Sequence, residues 1–180
     1  MASVEGKRKQ KTKSQGQNSA KSANGTLKEH VNEVLKRIGD EQGLADLCLD
    51  ENNHCMLLFD ERIVLNIDLD EAGKLLVVYA YIGDVPRECR EAIWQKALEG
   101  NFFWKETEGS TLGLDKQSQS LVSARAFALP LTDIVAFGDC LGVFVEVVEK
   151  WMARIERFVK EHDEQISRSE SRSKRSAGNF

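Results

Sequence analysis

The sequence of 180 residues contains few of the residues from which catalytic and metal sites are built, with three His and four Cys. The cysteines form no Cys-x-x-Cys pair, and the histidines have no partner at a metal-ligand spacing such as His-x-x-x-His. Motifs for a nucleophilic serine, a phosphate loop or a dinucleotide are also missing from the sequence. We therefore predict no enzyme activity, no catalytic residue, no metal and no cofactor. The cysteines are expected to be reduced and mostly buried as small hydrophobic side chains.

Long hydrophobic runs are also lacking. No stretch approaches the roughly 20 apolar residues that cross a bilayer, and the basic start of the chain is not followed by the apolar run of a signal peptide. The sequence therefore predicts a cytoplasmic protein without membrane insertion.

Charge is distributed unevenly along the chain. Residues 1–25 carry six Lys or Arg against Glu5, a net charge of +5, and residues 163–180 carry four against three acids, a net charge of +1. Since the whole chain carries −4, residues 26–162 carry −10. Both ends are nearly free of large apolar side chains, so they cannot offset the entropy of ordering their backbones. We predict a disordered basic tail at 1–25, one domain at 26–162 and a disordered Ser/Arg-rich tail at 163–180.

The basic tails allow two interpretations. Clustered lysines and arginines such as Lys7 to Lys13 can release counterions from a phosphate backbone, which would make the protein a nucleic-acid-associated dimer. No aromatic residue for base stacking is interleaved with these charges, which favours a solvated tail that keeps the chain soluble. The nucleic-acid hypothesis therefore stays as the alternative function.

The body of the chain begins with a helical pattern. Thr26 and Glu29 form a capping-box pattern, apolar residues then recur at helical spacing from Leu27 to Ile38, and Gly39 is a suitable terminator. Three strands follow near 55–59, 63–70 and 75–82, joined by turns too short for helical crossovers. The third strand is nearly continuously apolar, which predicts a central strand covered on both faces.

The second half continues the alternation of helix and strand. A helix is predicted at 87–99, a hairpin at 110–114 and 121–129, and a long amphipathic helix from Thr132, its N-cap, to about His162. Gly138 and Gly142 lie inside that helix, and their cost is tolerable if the helix packs closely there. The predicted fold is α+β, a mainly antiparallel five-stranded sheet with three helices in the order α-β-β-β-α-β-β-α.

Three stretches together resemble the Tir-chaperone family, the class I type III secretion chaperones of bacteria: Leu98 to Asp115, Leu58-Phe59-Asp60 and Leu129-Pro130-Leu131. The likeness covers residues 26–162, in which a short helix, a glycine-containing apolar strand and a long closing helix follow one another. It implies a small acidic homodimer that holds the N-terminal segment of a secreted effector protein in a secretion-competent form. It also implies that the ATPase of the secretion machinery releases the effector. A heterodimer with a different chaperone subunit remains open, because the interface residues are generic hydrophobic residues.

The resemblance assigns two sets of site residues by element. The first helix and the first strands would bind the effector through seven apolar residues: Leu27, Val31, Val34, Leu35, Leu57, Ile63 and Leu65. The second helix and the strand after it would form the dimer interface through five residues: Ile93, Trp94, Leu98, Leu112 and Leu114. The triplet Phe102-Phe103-Trp104 is open between core closure and an oligomer interface, where aromatic residues are enriched.

Overall fold

The computed structural model describes residues 26–44 and 46–177, with side chains as far as residue 168. The helices are α1 (Leu27–Gln42), α2 (Arg90–Asn101) and α3 (Ile134–Ala177). The strands are β1 (His54–Phe59), β2 (Ile63–Asp70), β3 (Leu75–Asp84), β4 (Thr111–Leu114) and β5 (Ser120–Ala128). A single 3-10 turn, Phe102–Trp104, follows α2 directly. The predicted order of helices and strands is confirmed.

The five strands form one sheet in the order β1-β2-β3-β5-β4. Every pairing is antiparallel, as the short turns between β1, β2 and β3 require. The third strand is central, as predicted, and β1 and β4 form the two edges of the sheet.

The sheet has one buried and one open face. Along β3, Leu76, Val78, Ala80 and Ile82 are buried, and they join apolar residues of all three helices in one hydrophobic core. The alternate residues of β3 are half-buried, and Tyr81 is 51% exposed. The prediction that β3 is covered on both faces was therefore wrong. Its outward side chains are apolar, but within the described residues none of them belongs to the core cluster.

The ends of the helices show which of the predicted start and stop signals are used. Thr26 Oγ1 accepts a hydrogen bond from Glu29 N–H and Glu29 Oε2 accepts one from Thr26 N–H, so the predicted capping box is confirmed. Gly39 does not end the helix; α1 continues to Gln42, and Gly43, at a φ of +70°, is the left-handed cap. At α3, the carboxylate of Asp133 rather than Thr132 caps the first turn, accepting from Ala136 N–H at 2.9 Å.

α3 is longer than the sequence pattern predicts. It runs for 44 residues, through residues 163–177 of the segment that we expected to be disordered. A helix already nucleated by packing adds each further turn at little cost, and Arg168 pairs with Glu164 one turn earlier. The predicted tail at 1–25 lies outside the described residues, as do residues 178–180.

The glycines of α3 do not lie at close contacts. A Cβ built on Gly138 or Gly142 meets no atom within 4 Å beyond the local helix backbone, so close packing does not offset the cost of these glycines. The close approach is at Gly100 in α2, where a Cβ would lie 2.7 Å from Cζ2 of Trp151. Among the helices of the described part, none is long and apolar enough to cross a membrane.

Candidate interaction surfaces

The residues predicted to bind an effector lie mostly in the hydrophobic core. Six of the seven are at most 8% exposed: Val31, Val34, Leu35, Leu57, Ile63 and Leu65. Leu27 is partly buried against the same core. The alternating pattern marked the correct strands, but the most apolar residues of those strands face inward, because the sheet buries them against α1 and α3. These six side chains therefore hold α1, β1 and β2 in the core and present no surface to a partner.

The outer face of the sheet carries the exposed apolar residues of the same strands. We define this outer face by six side chains that point away from the helices: Met56, Leu58, Val64, Val77, Tyr79 and Tyr81. Met56 is 64% exposed and Leu58 is 61% exposed, both on the edge strand β1. Large apolar side chains grouped on one exposed sheet face are characteristic of binding surfaces.

A polar pair borders this face. His54 and Asp68 are cross-strand partners, and His54 Nδ1 lies 2.6 Å from Asp68 Oδ1. Burial, followed by the nearby carboxylate of Asp68, raises the pKa of the Tyr79 hydroxyl above its ordinary value. At the start of β1, hydrogen bonding from His54 N–H is the main factor that lowers the pKa of Asp50. Sequence spacing missed the His54–Asp68 pair because the two residues meet only through strand register.

The residues predicted to form a dimer interface divide into two groups. Ile93 and Leu112 are buried in the core, and Trp94 is half-buried under the guanidinium of Arg90. Leu98 is 72% exposed and Leu114 is 42% exposed. Leu98 and Leu114 are therefore the predicted interface residues most accessible to another chain, whereas Ile93 and Leu112 hold α2 and β4 against the core.

The aromatic segment, Phe102–Trp104, is exposed. Its side chains are 64%, 73% and 54% exposed in chain order, so the alternative of core closure is excluded for this conformation. Phe102 and Phe103 contact each other edge to face, with ring centroids 4.6 Å apart. Together with Leu98 and Leu114, the segment forms a second apolar surface, which we call the α2–β4 surface.

An open groove lies between the end of β3 and the second half of α3. It has a volume of about 810 Å³, with an apolar floor that includes Ile82, Met152 and Ile155. Acidic and basic side chains between Glu156 and Arg168 line its rim on α3. No group of His, Cys, Asp and Glu suited to a metal ion occurs in the described part of the chain. Cys55 and Cys89 are buried, whereas Cys140 is half-buried and Cys48 is exposed, so the expectation of mostly buried cysteines holds for two of the four.

An antiparallel sheet with three helices packed on one face and one open apolar face defines a class of small binding proteins. The model of the Tir chaperone protein (CesT) family matches residues 33–152, two thirds of this sequence. The chain belongs to this family, which is a family of type III secretion chaperones, proteins that bind effectors. The comparisons give no support to the nucleic-acid alternative.

Solved structures share the fold. A chain of the ExsC–ExsE complex superimposes with a TM-score of 0.64 at 22% identity, over 72% of this chain and 96% of the other. A chain of the HopA1–SchA chaperone–effector complex gives 0.60 at 15% identity, over 72% and 98%. A chain of the heterodimeric ExoU–SpcU complex from the type III secretion system of Pseudomonas aeruginosa gives 0.53 at 16%, over 71% and 96%. A comparison with curated protein sequences finds no significant match.

Proposed function

We propose that this chaperone binds the N-terminal segment of a secreted effector on the outer face of its sheet. The observation that carries the proposal is the exposure of Met56 and Leu58 beside Val64 and Tyr81 on a face that the described helices leave open. An isolated chain gains nothing from presenting these side chains to water, whereas burying one of them under a client stabilises the complex by about 1.5–3 kcal/mol. The outer face therefore replaces the buried residues as the candidate effector site.

The edge of β1 adds a second source of affinity. β1 pairs with β2 on one side, and its other side is an edge of the sheet. An extended client segment can add a strand there, with main-chain hydrogen bonds for affinity and alternate side chains reaching the outer face for specificity. Ordering a flexible segment costs on the order of 2–5 kcal/mol, which the apolar contacts must exceed.

The proposed mode of binding also indicates where the chaperone acts and what releases its client. The client must be captured before export, so the chaperone acts in the cytoplasm, and holding a segment extended requires no catalytic group. Release then depends on an external energy source, for which the ATPase of the secretion machinery is the candidate.

The effector site is tested by replacing Leu58 with Asp in the full chain. We expect tenfold or greater loss of client affinity, because a charge cannot be buried against an apolar segment. Val135→Asp is the matched control, since Val135 is also 61% exposed but lies in the first turn of α3. Binding is measured by calorimetry with the N-terminal segment of a client that co-purifies from the native host. Equal binding by both variants would contradict this site.

We also propose that two copies associate through the α2–β4 surface. Leu98 and the aromatic segment are close in sequence, Leu114 lies on β4, which contacts α2, and all of these side chains are exposed. Trp104→Asp is expected to shift the chain from dimer to monomer in sedimentation equilibrium, whereas Leu58→Asp leaves the dimer intact. A dimer that persists in Trp104→Asp would show that the copies meet elsewhere, and a partner of different sequence would be seen as a heterodimer by mass spectrometry.

A further inference from the structure

The aromatic segment and the residues after it have backbone conformations that are unfavourable for residues other than glycine. Phe103 and Trp104 have φ angles of +52° and +51°, and Glu108 follows at +47°. Residues other than glycine lose free energy in this left-handed region and adopt it when surrounding contacts impose it. The side chains of the aromatic segment are exposed, so packing of the rings against the core does not supply those contacts. The contacts must come from the residues that flank the segment.

Both flanks of the segment are hydrogen-bonded to residues of the sheet. Before it, the side chain of Asn101 bridges to β4, accepting a hydrogen bond from Leu112 N–H at 2.8 Å and donating one to Leu112 O at 3.0 Å. After it, Arg125 Nη1 donates to Glu108 O at 2.9 Å. The ends of the segment are thus held by sheet residues on either side of the aromatic rings.

Glu106 is fastened at two points by α3. Trp151 Nε1 donates to the backbone oxygen of Glu106 at 3.0 Å, and Arg154 forms an ion pair with the Glu106 carboxylate. The Arg154 guanidinium in turn stacks over the Trp151 ring, 4.5 Å from its centroid. Trp151 is 1% exposed, whereas the side chains of Arg154 and Glu106 are 19% and 39% exposed, so the ion pair lies at the margin of the core and is anchored to it through Trp151.

We propose that Glu106, Arg154 and Trp151 form a clamp that positions the aromatic segment for a second copy of the chain. The proposal rests on the dimer suggested above. A surface that is fixed before contact loses less conformational entropy on association than one that must be ordered, so the clamp strengthens the dimer without touching the partner. Glu106 and Arg154 are therefore positioning residues, and their effect on association exceeds their effect on the fold.

The test is a double-mutant cycle on the full chain with Glu106→Ala, Arg154→Ala and the double variant. The dimer dissociation constant is measured by sedimentation equilibrium without denaturant, on protein shown by circular dichroism and urea titration to be folded. We expect each single variant to dissociate roughly tenfold more readily and the double variant to be no weaker than the weaker single one, because both remove the same clamp. Glu156→Ala is the matched control, since it removes another α3 ion pair, with Arg62 at 2.8 Å, away from the segment.

Each other outcome overturns the clamp. If the single variants dimerise as tightly as the control, or if their effects on the dissociation constant add in the double variant, Glu106 and Arg154 do not act as a unit. If Glu106→Ala fails to fold, Glu106→Gln takes its place, because it keeps a hydrogen-bond acceptor while removing the charge. If Trp104→Asp abolishes the dimer but the Glu106 variants leave it unchanged, the clamp is refuted and the dimer proposal stands. A wild-type chain that stays monomeric at all concentrations defeats the dimer proposal itself.

Discussion

Gly100 is the position where adding one methyl group tests the packing of α2 most directly. A Cβ there would lie 2.7 Å from Cζ2 and 3.3 Å from Cη2 of Trp151, which is itself 1% exposed. Overpacking of this kind costs about 1–3 kcal/mol. Alanine near the end of a helix recovers about 0.5 kcal/mol of the cost of glycine. Gly100→Ala should therefore lower the free energy of unfolding by about 0.5–2.5 kcal/mol.

Gly142→Ala is the matched control. Gly142 lies within α3 with nothing within 4 Å of a built Cβ, so alanine there should raise the free energy of unfolding by about 1 kcal/mol. Urea titrations of both variants at several protein concentrations separate monomer stability from dimerisation. With a slope of about 1–3 kcal/mol per molar urea, the two midpoints should differ by about 0.5 M or more. A Gly100→Ala chain as stable as Gly142→Ala would refute the close contact with Trp151.

Three further predictions concern polar groups. Asn101→Ala removes both hydrogen bonds to Leu112 and should lower the free energy of unfolding by about 1–3 kcal/mol in urea titration, whereas an unchanged midpoint would show the bridge to be dispensable. Thr26→Ala removes the cap of α1 and should cost about 0.5–2 kcal/mol in the same assay; Thr26→Ser should restore most of it. Because the ion pair with Arg154 lowers the pKa of Glu106 below its ordinary value of 4.5, its stabilisation is present at neutral pH and is lost as pH falls below that value. The wild type should therefore lose more stability than Glu106→Gln between pH 6 and about pH 3; equal losses would contradict the pairing.

The sequence predicts the elements of this fold well, because their signals are local. Alternation marks β2, turn residues separate β1 from β2, and the Thr26–Glu29 capping box marks the start of α1. It does not predict which face of a strand is covered. Leu57 and Leu58 are adjacent identical side chains, yet Leu57 is 8% exposed and Leu58 is 61% exposed. That difference in exposure depends on where the helices pack, which no local sequence pattern indicates.

The same limit explains the remaining differences in the candidate site. Choosing the most apolar residues of α1, β1 and β2 selected the core, since Ile and Leu are buried wherever a covered face is available. Gly39 and Gly43 both suit a helix end, and only the second has a left-handed conformation. His54 and Asp68 are fourteen residues apart and meet through register. Each of these outcomes depends on tertiary contacts, whereas the propensities read from sequence are local.

The length of the β1 edge limits how much of a client the sheet can select. β1 has six residues, so a strand added beside it pairs over about six residues, or about 20 Å at about 3.3 Å per residue. Side chains alternate between the two faces of a strand, so about three of those six would reach the outer face. If a client binds as proposed, it is selected by a short alternating pattern of apolar residues, and the rest of its N-terminal segment is free to vary in sequence.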